Sequence, residues 1–136
     1  MNAPEIINND IVAELPPSKG NPRNSEGDFE KLKDGSILFG YCRYHGTSAA
    51  DDDDCDIAGL ISHDEGRTFS ETPLLAKASD HGVKNIMSVS LERLKNGQLV
   101  LFYLCKSGKR SKVYLRRAND DESAFGKPEL CVGLKK

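Results

Sequence analysis

Apolar residues recur along the chain in short alternating runs that are separated by turn residues. The clearest pair of runs is 29–32 and 37–41, which flank Asp34-Gly35. An Asp-Gly dipeptide between two such runs favours a tight hairpin turn. Further runs occupy residues 57–61 and, more briefly, 73–75, and no segment has a sustained helical period. The pattern therefore predicts an all-β fold.

The same order of runs occurs twice. Residues 29–41 align with residues 91–103, with five identical positions out of 13. The match then resumes at an offset of 56 instead of 62, because the loop after Tyr44 is longer. A four-stranded unit that repeats about every 60 residues is typical of β-propeller blades. The later matches are Ile57 with Val113, Asp64 with Asp120, and Phe69 with Phe125.

The repeat divides the chain into three parts. Residues 1–21 form a Pro-containing N-terminal arm, residues 22–80 the first blade, and residues 81–136 the second. Propellers typically have about four to eight blades, and two alone would leave unpaired sheet edges. We therefore expect either a piece of a longer protein or an assembly of several copies. Three copies would make a six-bladed ring.

A short motif, Ser-His-Asp-Glu-Gly-Arg-Thr-Phe, lies between the third and fourth runs at residues 62–69. In a hairpin, Asp64 is suited to accept hydrogen bonds from the turn's own N–H groups, Gly66 to take a positive φ, and Phe69 to enter the hydrophobic layer. Together with Ser62 and Thr68, these residues resemble the Asp-box of BNR-repeat sialidases, with Phe in the usual Trp position. The Asp-box is structural, so its residues are not expected to be catalysts.

A second, degraded copy of the Asp-box lies at residues 118–125. It keeps Asp120 and Phe125 and lacks the glycine. The resemblance to the sialidase superfamily covers residues 22–75 well and residues 85–132 more weakly. It implies that the chain forms the first two blades of a six-bladed sialidase-like propeller.

The resemblance also suggests functional residues. In these sialidases an arginine in an R-I-P segment precedes the first strand, another lies at the end of the second, and an Asp-bearing loop precedes the Asp-box. Arg23, Arg43 and the four aspartates at residues 51–54 occupy these places. Asn24-Ser25 stands where Ile-Pro is expected, which indicates a divergent branch.

The activity implied is that of an exo-acting, retaining glycoside hydrolase that releases terminal sialic acid or a related acidic sugar. Arg23 would bind the substrate carboxylate, with Arg43 and Glu26 beside it, because guanidinium groups recognise carboxylates in a bidentate manner. Asp51 or Asp52 would be the general acid. The family's tyrosine nucleophile, its glutamate partner and two further arginines come from later blades. A single chain is therefore expected to be incomplete and inactive.

A non-catalytic carbohydrate-binding or structural propeller module, assembled as an oligomeric ring, is the alternative. In that case the aspartate run is a solvated acidic loop. For Glu26, a salt bridge to a neighbouring strand is the alternative to orienting Arg23 or contacting the substrate. Blade topology places Arg23, Arg43 and residues 51–54 on one side of the sheet, together with residues 81–85 and 106–110. It places the Asp-box on the other side.

Composition adds several exclusions. The 19 Lys and Arg residues against 21 Asp and Glu residues give a net charge of -2, so a nucleic-acid partner is not expected. No apolar stretch approaches the roughly 18 to 20 residues of a membrane span. No secretory signal is visible, so the cytoplasm is the default compartment.

The four cysteines are the remaining candidates for special chemistry. They lack metal-ligand spacing, so neither a metal nor another cofactor is expected. An even number permits two disulfides, but free buried thiols are favoured in a chain without a secretory signal. The cysteines are Cys42, Cys55, Cys105 and Cys131.

Overall fold

A computed structural model of the chain describes residues 11–133 and is all-β, as predicted. One turn of 3-10 helix, Ala78–His81, precedes the fifth strand. The described part of the chain has no helix that would traverse a lipid bilayer. The strands are β1 (Arg23–Lys31), β2 (Ile37–Tyr44), β3 (Cys55–Ser62), β4 (Ser70–Glu71), β5 (Asn85–Arg93), β6 (Leu99–Ser107), β7 (Arg110–Arg117) and β8 (Glu129–Gly133).

The strands form two antiparallel groups, β1–β4 and β5–β8, which we call the first and second groups. One parallel bridge joins them, at which Cys55 of β3 lies opposite Asn85 of β5. The N–H of Cys55 donates to the carbonyl oxygen of Lys84 at 3.0 Å. The expected pair of separate four-stranded sheets is therefore one mixed eight-stranded sheet, and it does not close on itself.

Equivalent turns join the first two strands of each group, β1 to β2 and β5 to β6. The Asp34 carboxylate accepts the N–H of Ser36 at 2.8 Å, and the Asn96 side-chain oxygen accepts the N–H of Gln98 at 3.0 Å. Each turn has a glycine at positive φ, 89° in the first and 85° in the second. The side chain of the Asx residue thus closes its own turn in both cases. The hairpin predicted from Asp-Gly is confirmed, and its aligned repeat at residues 91–103 has the same form.

The two groups pack face to face around one hydrophobic core. Gly40 of β2 lies against β5, where an added Cβ would come 3.2 Å from Cγ2 of Val89. Only glycine therefore permits this approach without a shift of its neighbours. The largest fully buried core side chains are Tyr44 and Ile57 from the first group and Ile86, Leu99, Leu101 and Tyr103 from the second.

β1 and β5 meet through residues that occupy equivalent positions of the repeat. Glu26 accepts the N–H of Ser88 at 3.1 Å, and Arg93 donates to the carbonyl oxygen of Lys31 at 2.8 Å. Both pairs are 62 residues apart in the sequence. Equivalent positions meet when successive repeats stack in the same orientation. The two groups are therefore arranged head to tail.

A buried ion pair connects the two groups at the end of the sheet where their hairpin turns lie. The Glu122 side chain is only 1% exposed and accepts hydrogen bonds from Arg93 at 2.7 and 3.1 Å. It also accepts the N–H of Lys33, in the first hairpin turn, at 2.8 Å. The hydrogen bond from Arg93 lowers the pKa of Glu122. One carboxylate thus satisfies donors from both groups.

The fourth strand is not where the sequence pattern placed it. β4 is Ser70–Glu71, which pairs with the end of β3, whereas residues 73–75 are outside any strand. Pro73 has no N–H to donate to a sheet ladder. Leu75 still donates its N–H to the carbonyl oxygen of Ile57 at 2.8 Å, so the segment stays close to β3.

All four cysteines are free. Three of them are buried, as predicted, but Cys131 is exposed, so the prediction is wrong there. The reason is its position on β8, an outer strand of the sheet with β7 as its only neighbour among the described residues.

The Glu122→Ala substitution should lower the free energy of unfolding by about 1.5–3 kcal/mol, the range for a hydrogen bond to a charged group. It removes the nearest carboxylate from the partly buried guanidinium of Arg93 and leaves the Lys33 N–H without its acceptor. Glu129→Ala is the matched control. Its carboxylate pairs with Arg117 at 2.9 Å on the surface, and its loss should cost less than about 1 kcal/mol. Urea unfolding of the two variants measures the difference, and equal small losses would contradict the role of Glu122.

Candidate functional site

The candidate site lies at the end of the sheet where β1 begins and β2 ends. The loop between β2 and β3, residues 45–54, is held in shape by the carboxylate of Asp53. This carboxylate accepts the N–H groups of Ser48 at 2.8 Å and Asp54 at 3.0 Å. These backbone hydrogen bonds lower the pKa of Asp53. Within the aspartate run, Asp53 therefore supports the loop.

Arg23 is held between this loop and β2. Its Nη1 donates to Oδ1 of Asp51 at 2.5 Å and to the carbonyl oxygen of Ala49 at 3.3 Å. Its guanidinium lies 4.6 Å from the ring centroid of Tyr44, which is fully buried. A guanidinium over an aromatic face is stabilised by a cation–π interaction. Arg23 is thus oriented on a rigid platform while its partner Asp51 is 70% exposed.

The charge state of Asp51 follows from this pair. The hydrogen bond from Arg23, and then the charge of Arg23, lower the pKa of Asp51. A general acid must instead hold a proton near the working pH. Asp51 is therefore a carboxylate for as long as Arg23 binds it.

The second group contributes two side chains to the same loop. Asn85 donates to the carbonyl oxygens of Asp51 at 3.1 Å and Asp53 at 2.7 Å, and Lys106 donates to that of Asp51 at 3.1 Å. The prediction that residues 81–85 and 106–110 reach this side is confirmed for Asn85 and Lys106. The position of Asp51 therefore depends on both groups.

An open cavity of about 440 Å³ lies on the side of the loop that Asn85 and Lys106 contact, and neither Arg23 nor Asp51 lines it. Its lining includes Asp52, Lys84, Asn85, Lys106 and Ser107. Two amines, an amide, a hydroxyl and a carboxylate suit an anionic or polyhydroxylated ligand better than an apolar one. Among residues 11–133 no three His, Cys, Asp or Glu side chains form a group suited to a metal ion.

Two of the predicted site residues point elsewhere. Glu26 sits in a β-bulge at a φ of 39°, and its carboxylate accepts from Ser88 and from the thiol of Cys42. It therefore joins β1 to β5, as the alternative interpretation expected, although through hydrogen bonds. Arg43 precedes Tyr44 on β2, so alternation puts it on the opposite face from the ring that supports Arg23.

The Asp-box lies at the opposite end of β3. Oδ1 of Asp64 accepts the N–H of Thr68 at 2.8 Å, and Oδ2 accepts its hydroxyl at 2.6 Å. Ser62 donates to Asp64 at 2.8 Å and accepts the N–H of Gly66, whose φ is 84°. Phe69 packs on a second, smaller cluster of buried residues, which consists of Tyr41, Ala58 and Leu60. These are the structural roles that the sequence predicts for these residues.

The degraded copy uses different side chains. Asn119 accepts the N–H of Ala124 at 3.1 Å, and Asp121 accepts the N–H of Ser123 at 3.0 Å. Asp120, which aligns with Asp64, instead provides a backbone carbonyl oxygen to the Lys33 amine at 3.0 Å. Without the glycine, the second turn is thus closed by the neighbours of the aligned aspartate.

Sequence reasoning missed the contact between Ser36 and His63. The hydroxyl of Ser36 lies 2.8 Å from Nδ1 of His63, at the Asp-box end of the sheet. The nearby Asp34 carboxylate accepts from the Ser36 backbone, and Ser36 itself is buried. We interpret this contact as a link between two turns, because a nucleophilic serine must be accessible to its substrate.

Tyr44, Asn85 and Lys106 were also missed as individual site residues. The contacts of Asn85 and Lys106 with Asp51 span 34 and 55 residues. No local pattern signals contacts at this range. The only sequence signal was topological, since the blade arrangement placed their segments on the correct side.

Comparison with known proteins adds no family assignment, because the chain matches no protein-family model and no curated protein. The resemblance to sialidases therefore stays a prediction from the sequence motifs.

The Asp64→Asn substitution should flatten the acid side of the stability curve. Hydrogen bonds from Thr68 lower the pKa of Asp64 from its usual 3.8 to about 2. A carboxylate with a lowered folded-state pKa stabilises the fold above its usual pKa, and this stabilisation is lost as the pH falls toward 2. We expect a shallower loss between about pH 4 and pH 2 in the variant, measured by urea unfolding. Asp120→Asn at the aligned position is measured alongside as the control, because the contact that Asp120 makes with Lys33 is through its backbone carbonyl oxygen. A wild-type slope in Asp64→Asn would contradict the role of Asp64.

The Arg23→Gln substitution should raise the pKa of Asp51 toward its usual 3.8, because the guanidinium is the main cause of the lowering. Carboxyl-carbon NMR titration measures this value directly. Arg67→Gln is the control, since Arg67 lies in the Asp-box turn and contacts Glu65. An unchanged Asp51 titration in Arg23→Gln would show that the ion pair is not formed in solution.

Proposed function

We propose that the chain forms two blades of a sialidase-like propeller and that its loop end binds the carboxylate of an acidic sugar. The activity proposed is that of an exo-acting, retaining glycoside hydrolase. It requires a nucleophile and further arginines that are not among the site residues named above. The observation that carries the proposal is the Arg23 guanidinium, which is oriented over the Tyr44 ring and paired with an exposed carboxylate.

The head-to-tail stacking of the two groups supports the propeller. Equivalent positions of the repeat meet at the β1–β5 contact, and each group is an antiparallel unit of four strands. Propeller blades are arranged in this way around a central axis. The Asp-box turn supports the same interpretation, because it lies at the end of the sheet opposite Arg23.

A ligand carboxylate would replace Asp51 on Arg23. Ion pairs at the surface contribute little to stability, so the exchange costs little, and a bidentate pair with the ligand has better geometry than the single contact of Asp51. Once the ligand neutralises Arg23, the cause of the low pKa of Asp51 is weakened. Binding would therefore free the Asp51 carboxyl for a role toward the ligand, with Asp52 beside it on the cavity wall.

A second candidate function is sugar binding without catalysis. The lowered pKa of Asp51 favours it, because a carboxylate held ionised by Arg23 donates no proton. In that case Lys106 and Asn85 maintain the loop, and the cavity lined by Lys84 and Asp52 is a recognition surface.

Calorimetric titration with sialic acid and with its methyl ester tests the role of Arg23. Arg23→Ala should weaken binding of the acid by about 10- to 100-fold, the range for a hydrogen bond to a charged group, and should leave binding of the ester unchanged. Arg67→Ala at the opposite end should affect neither. Equal binding of acid and ester by the wild type would overturn the carboxylate assignment.

Hydrolysis of an aryl sialoside then separates the two candidate functions. Turnover that is abolished by Arg23→Ala and by Asp51→Asn or Asp52→Asn supports the enzyme. Binding without turnover, unaffected by either aspartate substitution, supports the binding module. The lone chain is expected to show no turnover, so the assay is run at concentrations that span its association range.

A further inference from the structure

Each strand group has one apolar face that the other group does not cover. The front face belongs to the first group and consists of Phe29, Phe39 and Leu60, which are aligned by strand register, and of Tyr41 beside them. Tyr41 and Leu60 are already buried within this chain. The ring centroids of Phe29 and Phe39 are 4.6 Å apart. Phe29 is 57% exposed, so the aromatic row continues to the surface.

The described residues of the N-terminal arm, 11–21, cover part of the front face. Leu15 packs on it, and an apolar cavity of about 280 Å³ lies between these residues and the sheet. Val12 lines this cavity and is about half exposed. Phe29 and Phe39 line it as well, so a partner can reach the exposed side of Phe29 directly but must move the arm aside to reach Phe39.

The back face belongs to the second group. Strand register places Phe102 beside Leu115, and Leu104 beside Val113 and Val132. Val132 is 58% exposed, and the other four side chains are half-buried. The back face is thus a continuous apolar surface across three strands.

The repeat shows what each face matches. Phe29, Phe39 and Tyr41 of the front face stand 62 residues before Leu91, Leu101 and Tyr103. Those three residues of the second group are buried in the core against the first group. The front face of the first group therefore corresponds to the surface by which the second group packs on the first.

The back face has the complementary equivalence. Phe102 and Leu104 stand 62 residues after Gly40 and Cys42, which lie on the core side of the first group. Val113 likewise corresponds to Ile57, a fully buried core residue. The back face of the second group therefore corresponds to the surface of the first group on which the second group packs, but in the second group this surface faces outward.

We infer that a second copy of this chain docks its back face on the front face, head to tail, and thereby continues the interface between the two groups. A head-to-tail contact closes into a ring if its rotation permits. Three copies would place six repeats around the axis. This inference follows from the sheet geometry and does not depend on the proposed sugar chemistry.

Light scattering on a sizing column tests the association. The wild type should show a mass that is a multiple of 14.9 kDa and that rises with concentration up to about 0.5 mM, a range that includes weak specific interfaces. Phe29→Glu places a charge on the front face and Val132→Glu places one on the back face. Both side chains are more than half exposed, so neither substitution should disturb the fold. Each variant alone should be monomeric, with circular dichroism confirming the fold.

Mixing the two variants distinguishes a head-to-tail contact from any other. Phe29→Glu keeps an intact back face and Val132→Glu an intact front face, so a 1:1 mixture should give a species of two chains. Phe102→Glu, a second back-face variant, should behave as Val132→Glu does. Leu130→Glu is the control, because Leu130 is 56% exposed on the same strand but pairs with Tyr114 on the opposite face.

Three results would overturn the inference. The first is a wild type that remains monomeric throughout the concentration range. The second is a loss of association in only one class of variant, which indicates a symmetric contact of like faces. The third is the absence of two-chain species from the mixture. Sugar titration is a separate readout, so failure of the proposed function leaves these outcomes interpretable.

Discussion

The packing of the two strand groups on each other is the contact on which the rest of the structure depends. A single four-stranded unit of this chain has no closed core, because Tyr44 and Ile57 are buried by side chains of the other group. The same contact brings Asn85 and Lys106 to the loop that carries Asp51. Core formation and site formation are therefore a single event, and neither is available to one repeat alone.

Carboxylates in this protein have different roles because their surroundings differ. Asp53 accepts backbone N–H groups within its loop, and Glu122 satisfies a guanidinium that spans the two groups. Asp51 has one charged partner and is exposed. Of these three carboxylates, that of Asp51 supports the least structure, because it has one partner and is exposed. Under the proposed function, Asp51 is therefore the residue of the aspartate run that gives up its partner to a ligand, whereas Asp53 supports the loop.

Local patterns were sufficient to predict much of the fold. Alternation and turn dipeptides predicted the hairpins, and the motif at residues 62–69 predicted a turn whose contacts are present as expected. The repeat placed residues 81–85 and 106–110 on the side where Asn85 and Lys106 are found. These predictions succeed because each depends on neighbouring residues or on the order of strands.

The failures that bear on the candidate site involve contacts between distant segments or the exact register of a strand. The bridge between Cys55 and Asn85, which merges two sheets into one, has no local signal. The bulge at Glu26 turns that carboxylate toward β5. Arg43 follows the alternation of β2 and so lies away from Arg23. Sequence spacing predicts the end of the sheet at which a residue lies. The face of the sheet to which its side chain belongs can be predicted only when the strand register is known.

The close packing of β2 on β5 at Gly40 affects the candidate site as well as the core. Gly40 lies in the core, away from the loop end, and a methyl group there would meet Val89 and Leu75. Room for that methyl group requires the contact between the two repeats to give by a few tenths of an ångström, and the same contact sets the span between Arg23 on one repeat and Lys106 on the other. The width of the candidate site is thus a property of core packing. Under the proposed function, a ligand of different size is accommodated through small interior residues, without any change in the residues that touch the ligand.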